Sequence, residues 1–283
     1  MPVSPALLEA AVFFQNTIPS QPCRKFAAVF RAFIGGIMTD TTVPGRAGVR
    51  SDSRYFYFQM SLVCMAVAFL GFWPSYWGRM VAGTLHEAPI SHIHGIVFFG
   101  WSLYIVYQSW LGASGQVARH RAIGLIGVSF ATAMAIFGVM VSIQVMHELT
   151  ARGKGAYGVY LASISLSNIT LFAALIVFAL MNLRRPEWHK RAMIMAAISI
   201  LGAPLARPLM VNLHMPPPAL LSDWLVCVLA LLPMAHDWRT RGTVHPANWI
   251  AFAAILAVRL VRIPMADTVA WHDFAGWLSG LSG

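Results

Sequence analysis

Seven stretches of predominantly apolar residues follow one another along the chain, each bounded by charges or by Pro/Gly clusters. A bilayer core of about 30 Å takes about 20 residues at helical rise. The pattern therefore predicts transmembrane helices over residues 56–77, 89–111, 121–146, 156–181, 191–210, 219–235 and 246–265. Every connection between them is short, which leaves no room for a soluble domain. The predicted fold class is all-α, a polytopic transmembrane bundle of about seven spans over residues 54–265. It is preceded by an N-terminal cytoplasmic segment, 1–53, and followed by residues 266–283, where Trp271, Phe274, Leu278 and Leu281 recur at helical spacing as in an interfacial helix.

Basic residues alternate with the loops. One side holds Arg46, Arg50, Arg54, Arg119, Arg121, Arg184, Arg185, Lys190, Arg191, Arg239 and Arg241; the other holds Arg79, Arg152, Lys154 and Arg207. Cytoplasmic loops carry the Lys/Arg excess, so eleven against four predicts the N-terminus inside and the C-terminus outside. Composition then agrees: 58% of the 283 residues are hydrophobic and 11% charged, against about 25% charged in soluble domains. The net charge of +10 is a topological device rather than a phosphate-binding face, and nucleic acid is excluded as a partner. The expected setting is the bilayer of a bacterial cytoplasmic (inner) membrane. Residues 1–37 make neither a signal peptide nor a span, and Gly35-Gly36-Ile37 before Met38 reads like a translated ribosome-binding site, which predicts Met38 as the start. Cys23, Cys64 and Cys227 form no CxxC and read as packing residues.

Polar groups in hydrocarbon are costly, so those retained within the spans carry the functional information. His94, Trp101 and Gln108, seven apart, share one face of span two. Such a stripe could line a pocket for a cofactor or solute, or simply bond to neighbouring helices. His147 ends span three on the same side as His94, and two imidazoles at equal depth are what a bis-histidine haem b requires; His86, His92, His214 and His272 fall on that side too. On the other side, Arg119-His120-Arg121 and Trp188-His189-Lys190-Arg191 open spans three and five. His120 and His189 are candidate haem ligands there, with Arg121 and Arg191 on the propionates; the plainer reading of the cations is positive-inside anchoring. Asn168 is the one polar residue of span four with a functional reading, since its Ser and Thr neighbours bond their own backbone. Arg207 could pair with Asp223, as a structural pair first and a proton or anion relay second, and Arg259 and Arg262 share a face of span seven and need a carboxylate, phosphate or water beside them, or could snorkel outward. A break is expected at 202–208, near the end of span five. Signatures of dinucleotide, nucleotide, zinc-protease and serine-hydrolase sites are absent from the sequence.

Arg54-Tyr55-Phe56 with Gly71-Phe72-Trp73-Pro74-Ser75, then His92-Ile93-His94-Gly95 with Trp101 and Gln108, then His120-Arg121 with Gly124, then Glu187-Trp188-His189-Lys190-Arg191-Ala192-Met193, then His245-Pro246 resemble, in that order, a family of uncharacterised bacterial multi-pass integral membrane proteins. The resemblance covers about residues 54 to 277 and implies no activity. A looser similarity is to small helical proteins of haem and respiratory-oxidase maturation. Three functional readings follow. The first is a His-lined redox module binding haem or quinone, with a possible respiratory-chain partner. The second is a carrier for a small solute using His94, Trp101, Gln108 and Asn168. The third is a non-catalytic assembly or scaffold protein, alone or as a homo-oligomer.

Overall fold

The computed structural model describes residues 49–212 and 219–280; the Met38 start, Cys23, His214 and Leu281 lie outside the described residues. Among these, seven helices are long and apolar enough to cross a membrane: Arg54–Val81, Pro89–Ala113, Gly124–Ala151, Gly155–Met181, Pro186–Asn212, Leu220–Arg241 and Pro246–Ala266. These are spans one to seven, and the chain is a multi-pass membrane protein. The apolar periods locate all seven, and most run to or past the expected limits as polar residues extend the helix; span three instead starts at Gly124, three residues inside its expected start, because residues 117–122 form a separate short helix.

In chain order, α1 (Val49–Gly71) and α2 (Gly78–Val81) make span one with a π-helical turn, Trp73–Trp77, between them. The turn follows from Pro74, which has no N–H to give; the Trp77 N–H instead donates five residues back, to the Phe72 carbonyl at 3.3 Å. Span two is α3 (Pro89–Ala113), followed by the short α4 (Val117–Ala122); span three is α5 (Gly124–Ala151) and span four α6 (Gly155–Met181). Span five is broken into α7 (Pro186–Ser199) and α8 (Gly202–Asn212). Spans six and seven are α9 (Ala219–Arg241) and α10 (Pro246–Ala266), and α11 (Val269–Gly280) closes the described chain.

Span five is the central helix. Ala192 and Ile194 to Ser199 are buried on every side, as expected of a helix apolar all round, and its two halves pack on spans one, four, six and seven. Spans one to four pack consecutively, with span seven against span four. The break falls at residues 200–201, at the middle of span five and ahead of the 202–208 cluster where the sequence suggests it, because Gly202, Pro204 and Pro208 are all accommodated within α8. Here the two kinked helices cross: a Cβ on Gly71 of α1 would overlap the Pro204 carbonyl. The C-terminal helix α11 does not float free. Trp271 and Ala275 pack on Met146, Ala162 and Leu166, and Trp271 Nε1 donates to the Val159 carbonyl at 3.1 Å. His272, Asp273 and Phe274 face outward, so of the expected apolar stripe Phe274 is left exposed.

Candidate functional site

Span seven organises the polar interior. Its buried residues are Ala247, Asn248, Ala251, Ile255, Arg259, Arg262 and Ala266, and from Asn248 onward their spacing of three and four puts them along one face. That face points into the bundle, so Arg259 and Arg262 do not snorkel; they are 4% and 2% exposed.

Both arginines converge on the middle of the bundle. The Asn168 amide oxygen, at the midpoint of span four, accepts from Arg259 Nη1 at 3.1 Å and from Arg262 Nη1 at 2.9 Å. Arg259 Nη2 donates to the Ser199 carbonyl at 2.9 Å. That carbonyl lies in the last turn of α7, where helix ends leave carbonyls without intrahelical partners and where the helix dipole is negative. The break in span five thus supplies a ligand for a cation at its midpoint. A Cβ on Gly202, which opens α8, would stand 3.8 Å from Asn168 Nδ2, so Asn168 sits across the break.

The single carboxylate of this centre is Asp223, 5% exposed, which accepts from Arg262 Nη2 and pairs with Arg259 at 3.7 Å. Arg207, its expected partner, instead lies over the Phe72 ring at 5.5 Å; Asp223 is on span six, whose inner face meets span seven. Two guanidiniums against one carboxylate leave a net charge of +1. Asp223 Oδ2, Arg259 Nε and Arg262 Nε, all buried, carry no hydrogen-bond partner among the described residues.

A second polar layer lies at the end of the bundle holding residues 114–123, 182–191 and 236–245. Arg191, in the first turns of α7, makes two parallel bonds to Asp237, one of them Nε to Oδ2 at 2.8 Å, and reaches Glu187 at 2.5 Å. Asp237 also accepts from Asn248 Nδ2 at 2.8 Å and from the His245 N–H at 3.1 Å. Glu187 draws in Lys190 at 2.7 Å and Arg241 at 3.1 Å. The Tyr57 ring lies under Lys190 and Arg191. The charged groups of this layer are all paired, while the Tyr57 hydroxyl, His236 Nδ1 and Asn248 Oδ1 are buried without a hydrogen-bond partner among the described residues. Arg191, expected on a haem propionate, is instead one half of a buried fork with Asp237. His245 caps α10, its Nδ1 accepting from the Ala247 N–H at 3.1 Å; burial, then Arg191 and Arg241, hold its pKa below the usual histidine value.

Of the expected histidine pairs, His120 and His189 do meet, with ring centroids 6.3 Å apart and planes at 84°. His120 Nδ1 lies 3.2 Å from the Gln108 carbonyl and His189 Nδ1 3.0 Å from the Ala179 carbonyl. A carbonyl only accepts, so each Nδ1 bears the proton and each Nε2 keeps its lone pair, the arrangement that orients histidine ligands. Arg121 beside them is exposed. His94 and His147 are held by different elements: His94 stacks on Phe98 of its own helix at 4.1 Å, and His147 Nε2 donates to the Ser279 carbonyl of α11 at 2.9 Å.

The stripe on span two is divided in use. Trp101, 1% exposed, packs edge-on to Phe172. Gln108 Nε2 donates to the Tyr104 hydroxyl at 2.6 Å, and that hydroxyl donates to the Ile123 carbonyl at 3.0 Å. Trp101 thus ties span two to α6, and Gln108 with Tyr104 ties it to α4 and α5, rather than lining an open site. Asn168 alone among the expected pocket residues joins the central charged group. What sequence reasoning missed is that Arg259, Arg262, Asp223 and Asn168 form one centre; the available signal was an i, i+3 arginine pair inside an apolar span, with a lone aspartate in the preceding one. Matched against protein-family models, curated proteins and solved structures, the chain is similar to none.

Proposed function

We propose that this membrane protein is a carrier for a small anion, with Arg259, Arg262, Asp223 and Asn168 as its site. One observation carries the reading: two buried arginines share one carboxylate at the break of the central helix. An ionised residue at the middle of a span costs about 2.5–3.5 kcal/mol even on insertion scales, and an anion would bring the centre to neutrality. Carriers form their sites near the membrane midplane at discontinuous helices, and span five is interrupted at that depth. The Arg191–Asp237–Glu187 layer supports the same reading. It closes one end of the helices that hold the site, with Val226, Ala230, Ala251 and Ile255, all 0% exposed, between the two layers. Purified protein in proteoliposomes, presented with acetate, phosphate or chloride jumps on a solid-supported membrane, is expected to give transient currents with at least one of them. Arg259→Gln is expected to abolish those currents, and traces no larger than those of empty liposomes would reject the carrier reading.

A second reading rests on the contact between His120 and His189. Two imidazoles with anchored Nδ1 and open Nε2 fit the donor set of a haem b iron, which would give the protein an electron-transfer role beside the bilayer quinone pool. An optical spectrum of protein purified in mild detergent, with and without dithionite, decides it. A Soret band lost in His189→Ala supports this reading, and a colourless preparation from haem-replete cells sinks it.

A further inference from the structure

We infer that the two-arginine centre receives its ligand sideways from the lipid, as the carboxylate of a single-chain amphipathic acid; the inference rests on the anion reading above and names its substrate class. A cleft of about 40 Å³ opens between spans six and seven. Its walls are Leu220, Trp224, Cys227, Leu256 and Leu260, and Asp223 and Arg259 line it as well. Leu220, Trp224 and Leu260 are 63%, 59% and 60% exposed, on the outer surface of a transmembrane bundle where acyl chains are the solvent. Asp223 and Arg259 are more than nine-tenths buried. The cleft is thus apolar where it meets lipid and ionic where it meets protein.

Three observations select the ligand. Arg259 Nε lacks an acceptor, and the centre carries one uncompensated positive charge, so the incoming head is anionic. The enclosed part of the cleft is the size of a few water molecules, so the group that fits beside Arg259 is a small one, a carboxylate, with the rest of the ligand left in the open mouth. The placement suits lateral entry too: Asp223 and Arg259 stand on spans six and seven, which form the mouth, and Arg259 reaches inward from there to Asn168 and Ser199 at the midpoints of spans four and five. An acid entering between the two helices keeps its chain in lipid throughout. Asp223 already balances one arginine, so the arriving carboxylate meets a single net charge and is held reversibly.

Photo-crosslinking in proteoliposomes tests this. With diazirine-bearing palmitate, label is expected to concentrate in residues 220–227 and 256–260, to fall at least fivefold on adding unmodified palmitate, and to persist with methyl palmitate, which has the chain without the charge. Arg259→Gln is expected to lose the label at these residues, and Leu260→Phe, which narrows the mouth and leaves the charged groups intact, to reduce it. Competition by the methyl ester equal to that by the acid, or label spread over all lipid-facing helices, overturns the proposal using the unaltered protein alone. Absence of local label while acetate or phosphate currents persist removes the lateral entry and leaves the anion site standing. Absence of both removes the anion reading itself.

Discussion

Asp237 and Asp223 are the two carboxylates on which the buried arginines depend, and their surroundings predict different responses to substitution. Asp237 is 0% exposed and accepts from Arg191, Asn248 and the His245 backbone. Removing one partner of a buried ion pair strands the other, at about 3–5 kcal/mol. Asp237→Ala is therefore expected to lower the thermal midpoint in detergent sharply, whereas Glu187→Gln, whose side chain is 46% exposed, is expected to change it little. Equal shifts for the two would contradict the assignment. At the central site the asymmetry is one of charge. Asp223→Asn leaves two arginines with no carboxylate, while Arg259→Gln leaves Arg262 paired with Asp223 and loses mainly the bonds to Ser199 and Asn168, about 1–3 kcal/mol. Detergent melts should rank Asp223→Asn as the more damaging, and the reverse order would mean that the centre is not held by its charge balance.

At the scale of the helix, the crossing of span one and span five sets a packing limit that can be measured. Gly71 lies where α1 meets the turn around Pro204, and the atoms in the way are backbone, which cannot swing aside. Gly71→Ala is expected to destabilise by at least the 1–3 kcal/mol typical of overpacking. Gly112, with open space around it in α3, provides the control, since alanine there gains about 0.5–1 kcal/mol of helix propensity; a harmless Gly71→Ala would show that the two helices do not cross as closely. The helices also show how far sequence goes. Seven apolar periods are legible because lipid demands a continuous apolar run at every crossing. The serines of span four bond backward within their own helix, as their type predicts: Ser163 to the Tyr160 carbonyl and Ser165 to the Leu161 carbonyl. The break in span five is legible as a Pro/Gly cluster, yet it falls just ahead of that cluster, because Pro204 sits in the first turn of α8, where its missing N–H costs nothing, and Pro208 is carried inside the helix. The central site was not legible because it joins Asn168, Ser199, Asp223 and Arg259 across four helices, and hydropathy carries no information on which faces meet.

The two polar layers are joined by the same pair of helices, with Asp223 and Asp237 toward opposite ends of span six and Asn248 and Arg262 toward opposite ends of span seven. Which layer faces the cytoplasm therefore decides the direction in which the molecule works. The positive charges available to decide it are those not already spent on structure. Lys190, Arg191 and Arg241 are paired with Glu187 and Asp237, whereas Arg54, Arg119, Arg121, Arg184, Arg185 and Arg239 are exposed at the same end of the bundle. Exposed basic residues beside a span hold it on the cytoplasmic side, so the Arg191–Asp237 layer is expected inside and the loop 82–88 outside. Single cysteines read this directly. In a background with Cys23, Cys64 and Cys227 replaced by Ala, Thr84→Cys is expected to take an impermeant maleimide in intact spheroplasts of a bacterial host, and Thr243→Cys only in inverted vesicles. Both threonines are exposed, so failure to label from either side would reflect folding and not topology. Labelling of Thr243→Cys in spheroplasts would reverse the orientation, and replacing the six exposed arginines by Gln is expected to give a mixture of both labelling patterns, because Lys190, Arg191 and Arg241 at that end are already paired.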